Sequence, residues 1–486
     1  MEVKKVNFLA QATPTLSFMS PDQLYELHLA TLEVLERVGV RVDEDEALDL
    51  LKQAGAFIEG RVAKIPAYLV TAALQTAPER IVMCNRKGER TLFLEANMTY
   101  FGPGSDLPFT IDVNTGERRI STKQDVVNAT KVVDALPNFD FMMSFAIAQD
   151  TPASVSDLHQ LEAMVNNTTK PIVVTAHHRQ SMLDQIEMAA AIMGGYAELR
   201  KKPLIACYDE PICPLTHTIE GTQKLLVLAE YGVPAIYVPG MLGGGSAPVT
   251  QVGTMVQGNA ELLSGLVIHQ LKAKGAPFIY GGCPSIMDQR TTNVCYGNPE
   301  WHMNAVVWSQ MARMYRLPIY STGGCSDSLV FDQQAGIEEA YSLLLAQLSG
   351  ANLIHDVGYL ESGLTGSLET LVSCDEIISM VRHIGRGYEI NKETLAIDAI
   401  ERVGPGGNYM MDQHTFDHYK ELWWPELLNR GRYDDWKAAG SKTLKDKCNA
   451  KAKRILEDHT PEPLDKGIQQ KLSEVIAKAT ARNEGR

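Results

Sequence analysis

The sequence predicts an α/β protein built on a (β/α)8 TIM barrel, from three observations. Short apolar runs, each followed by a loop and a long helical pattern, begin at eight positions: Thr99, Phe139, Pro171, Pro203, Pro234, Pro277, Pro318 and Asn352. Five of the eight begin with proline, which suits a first strand position because it has no N–H to donate. The later starts lie roughly 30 to 45 residues apart, the length of a strand plus a crossover helix.

Eight units of this kind are most economically closed into a barrel, because an open sheet of that width would leave edge strands to protect. A doubly wound open sheet is the alternative. A hairpin predicted from residues 108–113 and 117–121 separates the first unit from the second. Thr122 then caps a helix that runs to about residue 136.

Additions are predicted at both ends of the barrel. Helical periodicity over 21–40, 44–55 and 66–77 predicts three N-terminal helices, and residues 81–95 predict a second hairpin. The tail is charged and helical in pattern. The predicted organisation is an N-terminal helical and hairpin layer over 1–97, a barrel over 98–390 and a C-terminal helical extension packed on the barrel over 391–486.

The seventh unit, PIYSTGGCSDSLVFDQQ over 318–334, reads as strand, loop and helix start. Gly323 and Gly324 permit a sharp departure from the strand. Asp327 lies in the polar turn that follows. In parallel α/β proteins chemistry is usually placed at the carboxyl ends of the strands, so this loop is a candidate for the catalytic rim.

Composition restricts the class of protein. The chain has 486 residues, is 45% hydrophobic and carries a formal net charge of −14, which argues against general nucleic-acid binding. It has no apolar run of about 18 residues and no secretory signal at its start, so we expect a cytoplasmic protein without a membrane span. The eight cysteines form no CxxC pair and are expected to be reduced thiols.

Aromatic side chains recur where the predicted strands end. Such rings attract a quaternary ammonium by cation–π interaction. The alternative is ordinary core packing, because tyrosine is common in strands. The candidates for substrate binding are Phe101, Tyr208, Tyr237, Tyr280, Tyr320 and Tyr359.

Charged side chains at the same level supply further candidates. His177 or Arg179 could bind a carboxylate, although only one of His177 and His178 is expected to face the barrel. Asp106 is a candidate cation partner, base or metal ligand, or a solvated rim carboxylate. His355, beside Asp356, is a candidate proton carrier or a hydrogen-bonded structural histidine. No close metal-binding motif is present, and no metal is predicted.

Two segments resemble a known family most specifically. They are VGPGGNYMMDQHT over 403–415 and ELWWPELLNRGRYDDW over 421–436, and the likeness includes STGGCSDSLVFDQQAG over 321–336. Together they resemble the trimethylamine methyltransferase (MttB) superfamily, and the resemblance covers most of the chain.

The resemblance implies a (β/α)8 barrel that moves a methyl group from an amine to the cobalt of a separate corrinoid protein. Trimethylamine enzymes of this family carry pyrrolysine, and this chain contains only ordinary residue types. It therefore resembles the non-pyrrolysine branch, whose substrates are quaternary amines. Glycine betaine is the favoured substrate, with proline betaine, carnitine and gamma-butyrobetaine as alternatives.

The resemblance also implies no tightly bound cofactor, since the cobalamin-type corrinoid belongs to a carrier protein that covers the barrel mouth. It places the loop of residues 318–334 beside the space that pyrrolysine occupies in the trimethylamine enzymes. Asp327 in this loop and His355 are the candidate catalytic residues. The aromatic C-terminal segment is a candidate packing surface against the barrel or another copy in a homo-oligomer. A metal-dependent barrel lyase or hydrolase, and a non-catalytic betaine-binding protein, are the alternatives from other classes.

Overall fold

The computed structural model describes residues 14–282 and 284–484. The helices are α1 (Pro21–Arg37), α2 (Asp45–Ala54), α3 (Ala67–Thr76), α4 (Lys123–Ala135), α5 (Ser156–Asn167), α6 (Arg179–Met193), α7 (Tyr196–Lys201), α8 (Ile219–Tyr231), α9 (Gln251–Lys272), α10 (Pro299–Tyr315), α11 (Gln333–Ser349), α12 (Leu368–Gly385), α13 (Lys392–Leu395), α14 (Ile397–Val403), α15 (Gln413–His418), α16 (Tyr433–Ala438), α17 (Leu444–Asp458) and α18 (Lys466–Glu484).

The strands are short, as is usual for a barrel with helical crossovers. They are β1 (Val40–Val42), β2 (Phe57–Glu59), β3 (Val62–Lys64), β4 (Ile81–Cys84), β5 (Arg90–Leu94), β6 (Tyr100–Pro103), β7 (Phe109–Ile111), β8 (Arg118–Ile120), β9 (Ile172–Val174), β10 (Ile205–Asp209), β11 (Thr216–His217), β12 (Ala235–Tyr237), β13 (Leu242–Gly243), β14 (Phe278–Gly281), β15 (Ser285–Ile286), β16 (Ile319–Thr322), β17 (Leu353–Val357), β18 (Tyr359–Leu360) and β19 (Thr365–Gly366).

Seven parallel strands form one curved sheet in the order β6-β17-β16-β14-β12-β10-β9. The segment 139–145 closes the gap between β6 and β9. Its Asp140 N–H donates to the Phe101 carbonyl at 2.7 Å, and its Met142 N–H donates to the Pro171 carbonyl at 2.9 Å. The predicted (β/α)8 barrel is confirmed, and the seven strands begin one or two residues after their predicted starts.

The hairpin of β4 and β5 seals the amino-terminal end of the barrel. Met83 and Leu94 are buried in one cluster with barrel-interior side chains such as Phe141 and Ile236. The Cys84 N–H of the hairpin donates to the Pro203 carbonyl at 2.8 Å, two residues before β10. The carboxyl-terminal end is therefore the mouth that remains for chemistry.

The remaining elements pack around the barrel. α1, α2 and α3 lie against α9, α17 packs on α12 and α4, and α18 packs on α6. Two small sheets have the orders β11-β1-β3-β2 and β18-β19-β7-β8. The division at residues 97 and 390 stays a prediction. No helix within the described residues is long and apolar enough to cross a lipid bilayer.

Three histidines are enclosed by the helical layer outside the strands. Burial lowers the pKa of His217 to about 4, of His269 to about 3 and of His302 to about 4, because it disfavours the charged ring. In the unfolded chain these rings bind protons near pH 6.5. Between pH 6.5 and about 4, the unfolded state therefore takes up protons that the folded state does not, which lowers the free energy of unfolding as the pH falls.

Replacing His269 by Leu should reduce the acid sensitivity of folding, because it removes one of these proton sites from the unfolded state. Buried carboxyl groups with a raised pKa increase the free energy of unfolding as the pH falls, which opposes the effect of the histidines. The prediction is therefore a difference between the variant and the parent protein. Between pH 7 and pH 5 the variant should lose about 1 to 2 kcal/mol less unfolding free energy than the parent protein. Urea unfolding at the two pH values measures this.

His418→Leu is the control, because the Glu421 carboxylate raises the pKa of this exposed ring and reverses the sign of its contribution. That variant should not become less acid-sensitive. An identical pH dependence for His269→Leu and the parent protein would contradict a neutral buried His269.

Candidate active site at the barrel mouth

A cavity of about 340 Å³ opens at the carboxyl ends of the barrel strands. The loops after β6, β9, β10, β14 and β17 supply most of its wall, and α8 supplies one side chain. Its lining combines three tyrosines with four carboxyl groups and two basic groups. These residues are Tyr208, Tyr296, Tyr359, Asp106, Asp209, Glu210, Asp356, Lys224 and His355.

The floor of the cavity is aromatic. The Tyr208 ring meets the Tyr320 ring edge-on at 5.9 Å and lies 6.2 Å from the His355 ring, measured between centroids. Tyr320 is fully buried below and stacks on His355 at 4.1 Å. Burial raises the pKa of Tyr208 well above its ordinary value, so the phenol stays neutral.

Two further tyrosines form a wall. The Tyr359 hydroxyl donates to the Ser105 carbonyl at 2.5 Å, which fixes the ring against the loop after β6. The Tyr296 ring is 6.3 Å from the Tyr359 ring and packs on Trp301 at 4.1 Å. Tyrosine rings from β10, β18 and the loop that precedes α10 therefore line one cavity.

Asp106 is held rigidly in the wall of the cavity. Its carboxylate accepts hydrogen bonds from Thr175 Oγ1 at 2.8 Å, Gln160 Nε2 at 3.1 Å and Ser144 Oγ at 3.3 Å. Its backbone has φ +60°, a left-handed conformation that is uncommon for a residue other than glycine. The neighbouring donors hold the carboxylate at the cavity in spite of this strain.

His355 and Asp356 form a coupled pair on β17. The His355 Nδ1 lies 2.7 Å from the Ser321 carbonyl and must carry a proton there, while Nε2 lies 3.2 Å from Asp356 Oδ1. Thr322 Oγ1 donates to the other Asp356 oxygen at 2.7 Å. Burial raises the pKa of Asp356, and His355 and Thr322 oppose that rise. His355 and Thr322 thus fix the Asp356 carboxyl group at the cavity.

Lys224 reaches the cavity from α8 and pairs with Asp209. Its Nζ is 3.0 Å from Asp209 Oδ1 and donates to the Ala176 carbonyl at 3.0 Å. Burial opposes the charge, but the Asp209 carboxylate outweighs it and keeps the pKa of Lys224 above its ordinary value. Asp209 Oδ2 is buried without a hydrogen-bond partner among the described residues. Burial also raises the pKa of nearby Glu210.

Four of the predicted site residues line this cavity, and a fifth lies directly beneath it. Asp106, Tyr208, His355 and Tyr359 contribute to the wall, and Tyr320 supports His355 from below. The sequence prediction brought these residues together from four different strands.

The expectation that Phe101, Tyr237 and Tyr280 line the pocket needs correction. All three side chains are fully buried on the outer face of the strands. The Tyr237 hydroxyl is 2.7 Å from His217 Nδ1, and the Tyr280 hydroxyl donates to Asn259 on α9 at 2.8 Å. Because successive strand side chains point to opposite faces, a shift of one position separates these rings from the barrel interior.

His177 and Arg179 also lie outside the cavity. The His177 ring is half-exposed, with Nε2 3.0 Å from Ser156 Oγ. Arg179 begins α6 and borders a separate groove of about 250 Å³ beside Glu44 and Glu46. The predicted carboxylate-binding role is therefore not supported by their positions.

Asp327 positions a loop and does not line the cavity. It accepts the backbone N–H groups of Tyr296 at 2.6 Å and Gly297 at 2.9 Å, and the Ser362 hydroxyl at 2.8 Å. This single carboxylate joins the long loop after β14 to the loop after β18. It therefore acts on the cavity through the two loops that it joins, which carry the lining residues Tyr296 and Gly363.

Sequence reasoning missed Lys224 and Tyr296 as site residues. Lys224 lies inside a helix, and Tyr296 lies well beyond β14 in a loop whose path no local pattern predicts. The only signal in the sequence was Asp209 itself, because a buried carboxylate needs a cation as its partner and Lys224 lies in the helix that follows. Within the described part of the chain, no group of three or more His, Cys, Asp or Glu side chains could hold a metal ion.

Asp327→Ala should release the loop that carries Tyr296, because two backbone N–H groups and one hydroxyl lose their acceptor. Hydrogen exchange at the Tyr296 and Gly297 amides should accelerate about 10-fold or more, corresponding to at least one lost hydrogen bond. Asp112→Ala is the matched control, since Asp112 caps the Asn114 and Thr115 amides in the turn between β7 and β8 and makes no hydrogen bond to the loop of Tyr296. Unchanged protection at Tyr296 in Asp327→Ala would contradict the positioning role.

Comparison with known proteins identifies the family. A family model described as trimethylamine methyltransferase (MTTB) matches residues 1–484. The chain is 34% identical over 466 residues to the trimethylamine methyltransferase MttB of Desulfitobacterium hafniense (strain DSM 10664 / DCB-2), covering 95% of this chain and 93% of that protein. It is 30% identical over 472 residues to the glycine betaine methyltransferase of Desulfitobacterium hafniense (strain Y51), covering 96% of this chain and 98% of that protein.

The fold is also found in a solved structure. The Methanosarcina barkeri monomethylamine methyltransferase (MtmB) superposes with a TM-score of 0.51 at 12% identity, over 93% of this chain and 90% of that chain. This likeness supports the barrel alone. The match along nearly the whole chain and the identity to two curated relatives show that the protein belongs to the trimethylamine methyltransferase family.

Proposed function

We propose that this protein transfers a methyl group from a quaternary amine, glycine betaine in particular, to the Co(I) of a corrinoid carrier protein. The observation that carries the proposal is the composition of the mouth cavity, where Tyr208, Tyr296 and Tyr359 stand beside four carboxyl groups. Tyrosine faces and carboxylates both attract a cation that cannot donate a hydrogen bond. The cavity therefore suits a trimethylammonium head.

Lys224 is the proposed partner of the substrate carboxylate. An ammonium has three N–H donors, and two of them have acceptors among the described residues, Asp209 and Ala176. The third remains for a ligand in the cavity. This arrangement replaces His177 and Arg179, which the sequence had suggested for the same role.

The size of the cavity favours a small substrate. Its volume of about 340 Å³ lies near the lower end of ligand pockets, which run from roughly 300 to 1,000 Å³. Glycine betaine places its carboxylate closer to the ammonium than carnitine or gamma-butyrobetaine does. The glycine betaine methyltransferase relative supports the same choice. Carnitine and gamma-butyrobetaine share the trimethylammonium head, proline betaine carries a dimethylammonium within its ring, and all three belong in the same substrate panel.

The reaction balances without acid catalysis. The C–N bond breaks and its electron pair stays on nitrogen. Glycine betaine thereby becomes dimethylglycine, whose nitrogen is an uncharged tertiary amine. The methyl carbon accepts two electrons from Co(I), which becomes methyl-Co(III). No proton is needed for the leaving group, and holding the reacting atoms in line supplies much of the rate enhancement.

The raised pKa values in the cavity are compatible with this chemistry. Strong binding of the ammonium in the ground state would oppose a transition state in which the positive charge is disappearing. Burial raises the pKa of Glu210 and Asp356 and so weakens their hold on the cation. The neutral tyrosine rings then carry a larger share of the binding.

The carrier protein is proposed to dock on the barrel mouth. The hairpin of β4 and β5 seals the opposite end of the barrel, with Met83 and Leu94 buried inside it. A corrinoid must approach within bonding distance of the methyl group, so it reaches the cavity from the rim. The loops that carry Tyr296 and Tyr359 lie on that rim.

Incubation of the protein with glycine betaine and a Co(I) corrinoid protein should give methyl-Co(III) and dimethylglycine in equal amounts. The visible spectrum follows the first product, and mass spectrometry follows the second. The panel includes the three other betaines and trimethylamine. If none of the quaternary amines methylates the corrinoid, the proposed reaction is wrong.

Neutralising the Lys224–Asp209 pair together should weaken carboxylate recognition without leaving a buried charge. The double variant Asp209→Asn, Lys224→Met is expected to bind glycine betaine roughly 10- to 100-fold more weakly, since it loses a charge-assisted hydrogen bond. Tetramethylammonium has no carboxylate and should bind as before. Calorimetric titration of both ligands measures the difference, and an equal loss for both would refute the assignment of Lys224.

A further inference from the structure

A second cavity lies between α1, α3 and the carboxyl-terminal end of α10, and we call it the α10 groove. Its volume is about 470 Å³, which falls within the usual range of ligand pockets, roughly 300 to 1,000 Å³. Arg316 lines it and stands three residues before β16. The α10 groove therefore lies near the amino-terminal end of the barrel, away from the mouth cavity.

A buried hydrogen-bond network runs up to the α10 groove from β14. Thr31 Oγ1 donates to the Leu27 carbonyl at 2.8 Å, so its oxygen accepts from Asn259 Nδ2 at 2.9 Å. The other Asn259 N–H donates to the Tyr315 hydroxyl at 2.8 Å, and the Tyr280 hydroxyl donates to Asn259 Oδ1 at 2.8 Å. These partners fix the orientation of the Asn259 amide and make the Tyr315 oxygen an acceptor.

The network also fixes the tautomer of His28, which lines the α10 groove. The Tyr315 hydroxyl lies 3.0 Å from His28 Nδ1, and its proton has no other acceptor within residues 14–282 and 284–484. Nδ1 therefore accepts, and the neutral ring carries its proton on Nε2. Burial lowers the pKa of His28, which favours the neutral ring.

The Nε2–H group of His28 is open to a ligand. It has no acceptor in the part of the chain that the structure describes, and it lies on the side of the ring opposite Nδ1, which faces the buried network. A donor held in one tautomer and one direction selects a ligand that offers a hydrogen-bond acceptor there.

The walls around this donor are aromatic and apolar. The His28 ring meets the Tyr315 ring edge-on at 5.4 Å and lies 6.1 Å from the Tyr25 ring, measured between centroids. Leu74 and Met314 add apolar surface. A flat aromatic ring is the ligand shape that such walls favour.

The charge distribution of the α10 groove disfavours an anion. Gln75 lies in the last turn of α3 and Met314 in the last turn of α10, and both line the groove. Carbonyls at helix ends lack partners within the helix and carry partial negative charge. Arg316 does not offset this charge, because it pairs with Glu79 at 2.8 Å. A neutral ligand with N–H donors suits these helix ends better than a carboxylate does.

We infer that the α10 groove is a binding site for a neutral aromatic carboxamide. The ligand carbonyl accepts the hydrogen bond of His28 Nε2–H, the amide N–H groups face the helix ends, and the aromatic ring packs against Tyr25 and Met314. This inference does not depend on the proposed methyl transfer.

Calorimetric titration of the full-length protein with benzamide and benzoate tests the inference, because the two probes share a ring and differ in charge and donors. Benzamide should bind at least about 10-fold more tightly than benzoate. His28→Phe should weaken benzamide binding about 10-fold, since it keeps a ring and removes one hydrogen bond. His177→Phe is the matched control, because this half-exposed histidine lies outside the α10 groove, and it should leave the affinity unchanged.

Two further measurements guard against a misfolded variant. Tyr25→Ala alters a side chain that is 56% exposed and should also weaken benzamide binding, while circular dichroism confirms that each variant is folded. Nitrogen-15 NMR of labelled histidine should show His28 protonated on Nε2, and benzamide should shift that signal. Absence of benzamide binding, equal affinity for benzoate, or undiminished binding by folded His28→Phe would overturn the inference.

Discussion

Closure of eight parallel segments into a ring is the constraint on which the rest of the structure depends. In a closed ring, alternate side chains of every strand must point inward. Tyr208, Tyr320 and His355 are on the inward positions and build the floor of the cavity. Tyr237 and Tyr280 are on outward positions and pack on α9. The same residue type thus serves the site or the core according to its position in the alternation.

Backbone strain and charge are concentrated at the same end of the barrel. Asp106 and Asp356 both have positive φ, a conformation that costs on the order of 1 to 3 kcal/mol for each such residue. Donors from Thr175 and Thr322 hold their carboxylates in place. Under the proposed function, carboxylates fixed in this way would need no rearrangement when a quaternary ammonium enters, and the neighbouring tyrosine rings would offer a neutral surface for its methyl groups.

The sequence predicted the fold more completely than the site, for physical reasons. Strand starts marked by proline and a repeat of strand plus helix are local signals, and they located all eight barrel positions. Whether Tyr237 faces inward depends on which of the alternating side chains of β12 point into the barrel. This is decided only when β12 pairs with its neighbouring strands. Lys224 and Tyr296 reach the cavity through the packing of α8 and the path of a long loop, so neither carries a local signature. Asp327 was predicted to be catalytic, and its hydrogen bonds to Tyr296 and Gly297, which make it a positioning residue, appear only in three dimensions.

The proposed function requires that the mouth cavity bind a quaternary ammonium among its tyrosine rings. A crystal structure of the protein with glycine betaine, in the absence of the carrier, measures this. The ammonium should lie between Tyr208, Tyr296 and Tyr359, the carboxylate should contact Lys224, and one methyl group should face the mouth. Glycine betaine bound elsewhere, or held with its carboxylate toward the tyrosines, would refute the proposed function.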